Sequence, residues 1–298
     1  VVGVSGGPDS LALAYLSKLY SSEKKINFIC IVIDHGVRRA SGKEAEKVKK
    51  LLQKKGIQSH IFKIDISKLK NFHLEARQLR YDKIAEFCNK KKIKYVLLGH
   101  HLDDQIENFY IRLSRGSGLT GLSPIKKVSK YKKHIFLRPF LSLRKRQLIK
   151  ISKKYFNFYL KDTGNFNNKY LRSRVRKLRS FMEEEGFGDL RLLKTLDNFD
   201  KAGDALNFYS QTAKKKFINK QSNFISISKK LFNEPYEIVF RCISSFLTEK
   251  KDYPPRSKGI TRLIADLSQS NKKKVTLGGY IFENGLNLVK VKREFRKC

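Results

Sequence analysis

The chain has 298 residues, which at about 100–200 residues per domain predicts one large domain or two smaller ones. Hydrophobic residues make up 40% of it, enough for a sizeable core, but no run of about 18 apolar residues occurs, which argues against a membrane-spanning helix. The 65 lysines and arginines outnumber the 27 aspartates and glutamates, and the formal charge of +38 favours a nucleic acid as partner, although drift of surface positions to lysine would give the same excess.

The first half of the chain alternates short apolar runs with segments of helical period. Predicted strands and helices follow one another at residues 1–4, 11–16, 26–33, 41–55, 60–66, 74–91, 94–99 and 103–114. This alternation predicts βαβ units and a doubly wound parallel sheet with helices on both faces. Ligands of such sheets bind beyond the carboxyl ends of the strands. We therefore expect the polar segments 5–10, 34–38 and 100–107, which each follow a strand, to meet at one edge.

The second half is less regular. A basic segment at 138–146 leads into another helix, and a break of pattern near 185–205 marks a domain boundary. We accordingly divide the chain into domains at residues 1–188 and 189–298. The second domain is expected to be smaller and mostly helical, with helices at about 190–217 and 234–250 before a short α/β tail.

A glycine-rich segment joins the first predicted strand to the first predicted helix: Ser5-Gly6-Gly7-Pro8-Asp9-Ser10. Two glycines let the backbone approach an anion, and the following helix presents free N–H groups to it. The hydroxyls of Ser5 and Ser10 can add hydrogen bonds, and Asp9 beside a phosphate indicates an intervening Mg²⁺. An ordinary capped turn is the alternative, and the string is not a Walker A loop. The strand–loop–helix context favours phosphate binding.

A cluster of acidic and histidine side chains follows the fourth predicted strand, in His100-His101-Leu102-Asp103-Asp104-Gln105-Ile106-Glu107-Asn108. Asp104 and Glu107 are three apart and Asp103 and Glu107 four apart, so each pair shares a helix face. Helix capping would explain one carboxylate, but not three with paired histidines. A His/Asp metal site and a site for Mg²⁺ with a cationic amino acid are both open.

These motifs resemble those of a known family. S-G-G-x-D-S after the first strand resembles the pyrophosphate loop of the PP-loop ATPases, which cleave ATP between the α and β phosphates. The acidic cluster resembles H-x-x-D-D-Q-x-E-T of the lysidine synthases within that superfamily. Further segments resemble family motifs in the same order: 34–38 (D-H-G-L-R), 115–122 (R-G-S-G-L-x-G-L), 138–141 (R-P-L-L), 162–165 (D-P-S-N), 172–176 (R-N-R-I-R) and 274–280 near the end. Asn108, Thr163, Gly164 and Ser173 are among the departures from the family pattern.

The resemblance implies a fold of the adenine nucleotide α hydrolase type and a ligase reaction. ATP adenylates the wobble cytidine of the isoleucine tRNA with anticodon CAU, and free L-lysine then replaces AMP to give lysidine. The implied cofactors are ATP and Mg²⁺, with no zinc site. The implied partners are tRNA, bound in part by the C-terminal region, and a second copy of the chain in those members that dimerise. No membrane is involved.

The resemblance also implies residue roles. Ser5, Gly6, Gly7, Pro8, Asp9 and Ser10 would bind ATP, Asp9 and Asp104 would hold Mg²⁺, and Asp103 or Glu107 would bind an ammonium group of lysine. A substrate loop or supporting layer would comprise His35, Arg38, His100, Arg115, Gly116, Ser117 and Gly118. Arg172, Arg174 and Arg176 would contact tRNA or phosphate, as alternating arginines can.

Two other functions are weighed against this one. A PP-loop tRNA thiolase of the 2-thiocytidine type carries C-x-x-C, whereas Cys30, Cys88, Cys242 and Cys298 form no such pair. An RNA-binding protein with a decayed ATP site is the other, and the intact loop and acidic cluster argue against it. Unpaired cysteines suit a reducing compartment, so we expect a cytoplasmic protein.

Overall fold

A computed structural model describes residues 1–34, 36, 41–64, 72–160, 171–221, 223–248, 255–269 and 273–294. The chain divides into two compact units, Val1–Leu196 and Asp197–Cys298. The boundary between the units, after Leu196, lies a few residues beyond the domain boundary that the sequence predicts after residue 188. The predicted domain boundary stays a prediction. Each unit is described by itself.

The first unit is built on a six-stranded sheet with the order β3-β2-β1-β4-β6-β5. Its strands are β1 Val2–Val4, β2 Cys30–Asp34, β3 Ser59–Lys63, β4 Tyr95–Leu97, β5 Val128–Tyr131 and β6 His134–Leu137. All neighbours are parallel except β5, which pairs antiparallel with β6 at the edge. The predicted doubly wound parallel sheet is confirmed, with this one antiparallel edge strand added.

Helices connect the first four strands in the way that the apolar periodicity predicts, whereas the helices at 119–122 and 171–184 were not predicted from it. The helices up to residue 217 are α1 Pro8–Lys24, α2 Ser41–Lys54, α3 Phe72–Lys90, α4 Leu102–Leu113, α5 Leu119–Leu122, α6 Lys145–Phe156, α7 Leu171–Glu184 and α8 Asp189–Phe217. The β5–β6 hairpin was not predicted. Its strands have four residues each, and Lys132 takes the positive φ of its turn (52°), where glycine or asparagine would have signalled a hairpin.

The core of the first unit lies on both faces of the sheet. Every residue of β2 is buried, as expected for a central strand of a parallel sheet. Cys30 and Val32 join an apolar cluster on one face, and Ile31 and Ile33 join another on the opposite face. Because successive side chains of a strand point to opposite faces, this split is the direct signature of a sheet covered by helices on both sides.

The second unit combines helices with an antiparallel sheet. It contains most of α8, a 3₁₀ helix at Lys229–Asn233, α9 Tyr236–Thr248 and α10 Ser257–Ser268. Its strands are β7 Ile218–Lys220, β8 Ile225–Ser228, β9 Lys274–Leu277, β10 Tyr280–Asn284 and β11 Leu288–Arg293, in the order β7-β8-β11-β10-β9. Helices hold more residues than strands, as predicted, but the sheet is larger than the short α/β tail expected. Across the described ranges, none of the helices has the length and apolarity needed to traverse a bilayer.

Candidate active site at the switch point of the sheet

The topology changes direction at β1. From β1 the chain proceeds outward through β2 and β3, and then returns to place β4 on the other side of β1. Val2 accordingly pairs with Cys30 of β2 and with Leu97 of β4. Such a switch point is the usual ligand-binding position of an open α/β sheet. The loops that follow β1 and β4 therefore lie side by side at its carboxyl edge.

The two loops pack against each other through a glycine. A Cβ atom at Gly99, just beyond β4, would lie 3.2 Å from the carbonyl oxygen of Asp9 and 3.3 Å from the amide nitrogen of Ser10. A Cβ atom would be crowded at these distances from backbone atoms. The close approach of the two backbones therefore favours glycine at this position.

The loop after β1 is held in a fixed shape by its own residues. Gly6 has a φ of 83°, and a Cβ there would lie 2.6 Å from methyl carbons of both Val48 and Leu160. The Ser10 hydroxyl accepts a hydrogen bond from the Ser5 amide at 3.1 Å and donates one to the Gly7 carbonyl at 3.0 Å. No side chain caps the amino terminus of α1, which begins with Pro8. Its first amides can therefore bind an anion.

His101 connects the two loops. This side chain is buried, and its Nε2 atom lies 3.5 Å from Oδ2 of Asp9 and 3.5 Å from Oδ2 of Asp104. Its Nδ1 atom accepts a hydrogen bond from the Asp104 amide at 3.3 Å, and the Asp104 carboxylate accepts one from the His101 amide at 3.2 Å. The reciprocal pair caps α4 and aims the ring at both carboxylates.

The charge state of His101 follows from these neighbours. Burial by itself lowers the pKa of the imidazole, but the hydrogen bond with Asp9 and the charges of Asp104, Asp9 and Asp103 raise it above its ordinary value. Because Nδ1 accepts the Asp104 amide, the ring carries its proton on Nε2, the atom that faces Asp9 and Asp104.

One carboxylate oxygen in the site has no protein partner. Oδ1 of Asp9 is buried and makes no hydrogen bond. An oxygen left in this way suits a hard cation, and Mg²⁺ in phosphate-handling sites is usually held by one or two carboxylates together with the phosphates. Among the described side chains, no group of three or more His, Cys, Asp or Glu is arranged to hold a metal ion. The donor set therefore fits an ion whose coordination a substrate phosphate completes.

Arginines of α7 lie over the acidic face of α4. The buried Glu107 accepts hydrogen bonds from Nε of Arg172 at 2.7 Å and from Nη2 of Arg176 at 3.0 Å. Arg172 also reaches Oδ1 of Asp104 at 3.2 Å. Because residues four apart share a helix face, one side of α7 is aligned with one side of α4. We call these contacts the arginine clamp.

A third α7 arginine extends the contacts beyond the clamp. Arg179 pairs with Asp103 and also donates to the buried Asp189 at 2.8 Å. The other oxygen of Asp103 accepts from the Lys145 amide at 2.7 Å, at the start of α6. Burial raises the pKa of Asp103, but the Lys145 amide and Arg179 hold it below its ordinary value. Asp103 thus joins three helices.

Comparisons with known proteins agree with this geometry. Residues 1–184 match a family model described as a PP-loop domain. The tRNA(Ile)-lysidine synthase of Wolbachia pipientis wMel is 30% identical over 99% of this chain and 70% of its own length, and that of Orientia tsutsugamushi is 31% identical over 100% and 70%. This chain belongs to the tRNA(Ile)-lysidine synthase family. A solved structure of the U34-tRNA thiolase NcsA from Methanococcus maripaludis, with its [4Fe-4S] cluster, has a TM-score of 0.56 at 20% identity over 67% of this chain and 70% of its own, and shares the fold.

In this lysidine synthase family member, the two residues predicted to bind a lysine ammonium are already paired. Asp103 is bound by Arg179 and the Lys145 amide, and Glu107 by Arg172 and Arg176. Either carboxylate would have to exchange an arginine for the ligand. That Asp103 or Glu107 binds the lysine substrate stays a prediction. It would require arginine side chains of α7 to move away from the carboxylate.

The remaining predicted site residues are dispersed. Arg115, Gly116, Ser117 and Gly118 follow the carboxyl end of α4, about 18 Å from its start for a helix of 12 residues, and so are not brought to Asp9 and Asp104. Arg174 is exposed and lies two residues from the clamp arginines, on another side of α7. His100 lies just beyond β4, at the switch point. His35, Arg38 and the segment 162–165 are outside the described residues.

Sequence reasoning missed two features of the lysidine synthase site. His101 was quoted within the motif but given no role, although its position directly before an acidic helix start was a usable signal for a cap. The pairing of α7 arginines with α4 carboxylates joins residues 65 to 76 positions apart. No local pattern encodes such a contact.

Proposed function

We propose that this chain uses ATP to attach lysine to the wobble cytidine of the isoleucine tRNA that carries the anticodon CAU. The cytidine 2-carbonyl oxygen attacks the α phosphorus of ATP, and pyrophosphate leaves. The amine of lysine then attacks the activated carbon, and AMP leaves as lysidine forms. The observation that supports this most is the meeting of Asp9, His101 and Asp104 beside an uncapped helix start.

The chain's residues would act mainly by binding and orientation. The amides of the Ser5–Ser10 loop and of the first turn of α1 would hold the pyrophosphate portion of ATP. The carbonyl oxygen of cytosine is a poor nucleophile, so fixing it next to the α phosphorus supplies much of the rate. His101 would keep Asp9 and Asp104 oriented toward that position.

Magnesium would be held by the free oxygen of Asp9, with Asp104 as the second carboxylate. When bound, the ion would neutralise charge that develops on the phosphates. Because Arg172 also contacts Asp104, we propose that this guanidinium moves toward a phosphate when ATP and the ion bind.

A thiolase function is less well supported. Cys30, Cys88 and Cys242 are buried, and burial raises the pKa of all three thiols, to about 12 for Cys30 and about 11 for Cys242. A thiol kept neutral in the core is a poor nucleophile and a poor ligand for a cluster. The likeness to the thiolase structure, at 20% identity, extends to the fold alone.

The direct test is a reaction with ATP, Mg²⁺, isotope-labelled lysine and a CAU-anticodon isoleucine tRNA transcript, followed by mass spectrometry of the nucleosides. We expect a cytidine derivative that carries the labelled lysine, formed together with AMP and pyrophosphate. Protein that binds ATP and tRNA but transfers no lysine would contradict the proposal. Incorporation of sulfur from a persulfide donor in a parallel reaction would favour the thiolase instead.

A further inference from the structure

Lysines cover the outer face of α2 in an unbroken row. Lys43, Lys47, Lys50 and Lys54 follow one another at intervals of four, three and four residues, and all four are exposed. Residues at these intervals share one helix face, and the helix buries its opposite face in the core. At the usual rise of a helix, this basic row is about 16 Å long.

The basic row forms one wall of a groove of about 740 Å³. Lys63 of β3 adds a further ammonium group to the lining, which also contains the acidic Asp34 and Glu46. Asp34 is buried and accepts a hydrogen bond from the Gly36 amide at 3.0 Å, so Glu46 is the exposed acid of the two. Positive charge therefore predominates along this basic groove.

The basic groove begins beside the candidate active site. Asp34 is the last residue of β2, which pairs with β1, so this end of the groove lies at the carboxyl edge of the sheet. From its buried face, α2 also contacts the loop that follows β1, because Val48 lies against Gly6. A polymer that leaves this loop on the side of β2 would thus meet the groove at Asp34.

The described residues do not neutralise the basic row. No ion pair between them includes a lysine of the row, whereas on α3 both Lys83 and Lys90 pair with Glu86, at 3.1 Å and 3.2 Å. Nζ of Lys47 lies instead 4.1 Å from the centroid of the Phe158 ring. Lysines three or four positions apart on a helix repel one another. A polyanion that binds along the row would offset this repulsion.

We infer that the basic groove binds the sugar–phosphate backbone of the tRNA anticodon arm, next to the base that reacts. The inference rests on the proposed function, which brings the wobble cytidine to the loop that follows β1. The backbone that flanks this base then enters the groove at Asp34 and follows the basic row. Lysines bind phosphates as point charges and read no sequence, so the groove positions the arm and does not select the base.

The test removes three charges of the row together, in a variant that combines Lys47→Gln, Lys50→Gln and Lys54→Gln. A second variant carries arginine at the same three positions and keeps their charge. The thermal midpoint should not fall in either variant, because the three side chains are exposed and are in no ion pair of the described residues.

The control removes the same charge at the opposite edge of the sheet, in the segment between α3 and β4. It combines three substitutions of exposed residues, Lys91→Gln, Lys92→Gln and Lys94→Gln. Lys94 lies over the ring of Tyr95 at 5.6 Å, so the control also loses a cation–π contact, as Lys47→Gln does. Filter retention at several salt concentrations measures the binding of two RNAs, the CAU-anticodon tRNA transcript and its isolated anticodon stem–loop.

We expect the glutamine variant to bind both RNAs about tenfold more weakly, with a salt slope reduced by about 2, because several phosphate contacts are lost. The arginine variant and the control should bind both RNAs as the parent does. Calorimetry should give the same affinity for Mg²⁺·ATP in all four proteins.

Four results would overturn the inference. Equal losses in the glutamine variant and the control would mean that general surface charge binds the RNA. A loss confined to the full tRNA would place the contact outside the anticodon arm. Unchanged binding of both RNAs would leave the row to another partner, such as an acidic protein, and a lower thermal midpoint in the glutamine variant alone would make the row structural. Neither RNA measurement requires lysine transfer, so this inference and the proposed function fail separately.

Discussion

At the scale of single residues, two adjacent glycines in the loop after β1 have different tasks. Gly6 combines a positive φ of 83° with side chains that would lie 2.6 Å from a Cβ. Gly7 has an ordinary extended backbone (φ −70°), and the nearest atom to its Cβ position is the Ser5 hydroxyl oxygen at 3.7 Å. One position thus demands glycine for both conformation and space, and the other does not.

We therefore predict opposite outcomes for two alanine substitutions. Gly6→Ala should lower the free energy of unfolding by about 2 kcal/mol or more, because strain and overpacking act together. Gly7→Ala, the matched control, should stay within about 0.5 kcal/mol of the parent. Urea unfolding of the three proteins measures both changes. Equal stability of the two variants would show that the loop is not packed against Val48 and Leu160 as described.

His100 gives the molecule a specific sensitivity to acid. Burial and the charges of Arg138, Arg77, Arg80 and Arg172 lower the pKa of this histidine to about 3. An unfolded histidine titrates near pH 6.5. Between these values the unfolded state binds a proton that the folded state does not, so the stability from this group is complete above about pH 6.5 and is lost as the pH falls.

We predict that His100→Gln flattens the loss of stability below neutral pH. The pH dependence of the free energy of unfolding should decrease by up to about 1.4 kcal/mol per pH unit, the value for uptake of one proton. Urea titrations of the parent and the variant at pH 7.5, 6 and 5 provide the comparison. If both proteins lose stability at the same rate, His100 is not held neutral in the folded state.

At the scale of helices, the arginine clamp determines how α7 lies on α4. Glu107 is 3% exposed, whereas Arg172 and Arg176 are 49% and 29% exposed, so a buried carboxylate is met by partly hydrated cations. Solvent weakens such a contact relative to a fully buried pair. Removal of the carboxylate charge would take away the anion that the two guanidinium groups share, although Arg172 keeps its contact with Asp104.

Glu107→Gln should accordingly lower the free energy of unfolding of the first unit by about 2 kcal/mol. This loss is smaller than that for breaking a fully buried ion pair, because the arginines are partly hydrated. The control is Glu183→Gln on the same α7 helix. Its carboxylate is 46% exposed and lies 3.3 Å from Arg144, so the loss should stay below about 1 kcal/mol. Hydrogen exchange of α7 amides should accelerate in the first variant only. Equal exchange in both would mean that the clamp does not hold the helix.

Sequence patterns predict strands well where the strands are continuous apolar runs, and poorly where exposed residues interrupt them. The alternation from β1 to α4 follows from apolar runs and helical period, and a switch point between β1 and β4 brings the S-G-G-P-D-S loop to the acidic cluster. The strands of the β5–β6 hairpin and of the β7–β11 sheet are no shorter than β1 and β4, but β5, β9 and β11 contain several exposed residues. In a strand such as β5, where the apolar Val128 is exposed, the alternation of apolar and polar residues does not clearly separate a buried face from an exposed one. The arginine clamp leaves no local signal, because its partners lie 65 and 69 positions apart in the sequence.

At the scale of the whole molecule, the charge of +38 agrees with a polyanionic substrate. The chain uses its arginines in two ways. Some, such as Arg172, Arg176 and Arg179, neutralise carboxylates of α4. Others have a buried Nε atom without a hydrogen-bond partner, as in the buried Arg138 and the partly exposed Arg80. The first group connects α7 to the acidic cluster of the candidate active site.

The central claim is that Asp9 and Asp104 serve one ATP–magnesium centre, and a double-mutant cycle of tRNA-dependent pyrophosphate release tests it most directly. The cycle comprises the parent, Asp9→Asn, Asp104→Asn and the double variant, with Asp197→Asn, an exposed residue of α8, as control. We predict that each single variant loses about 10²-fold or more while tRNA binding persists, that the double variant loses no more than the worse single, and that the control keeps its activity. Losses that multiply in the double variant, or full release in either single variant, would contradict the shared centre.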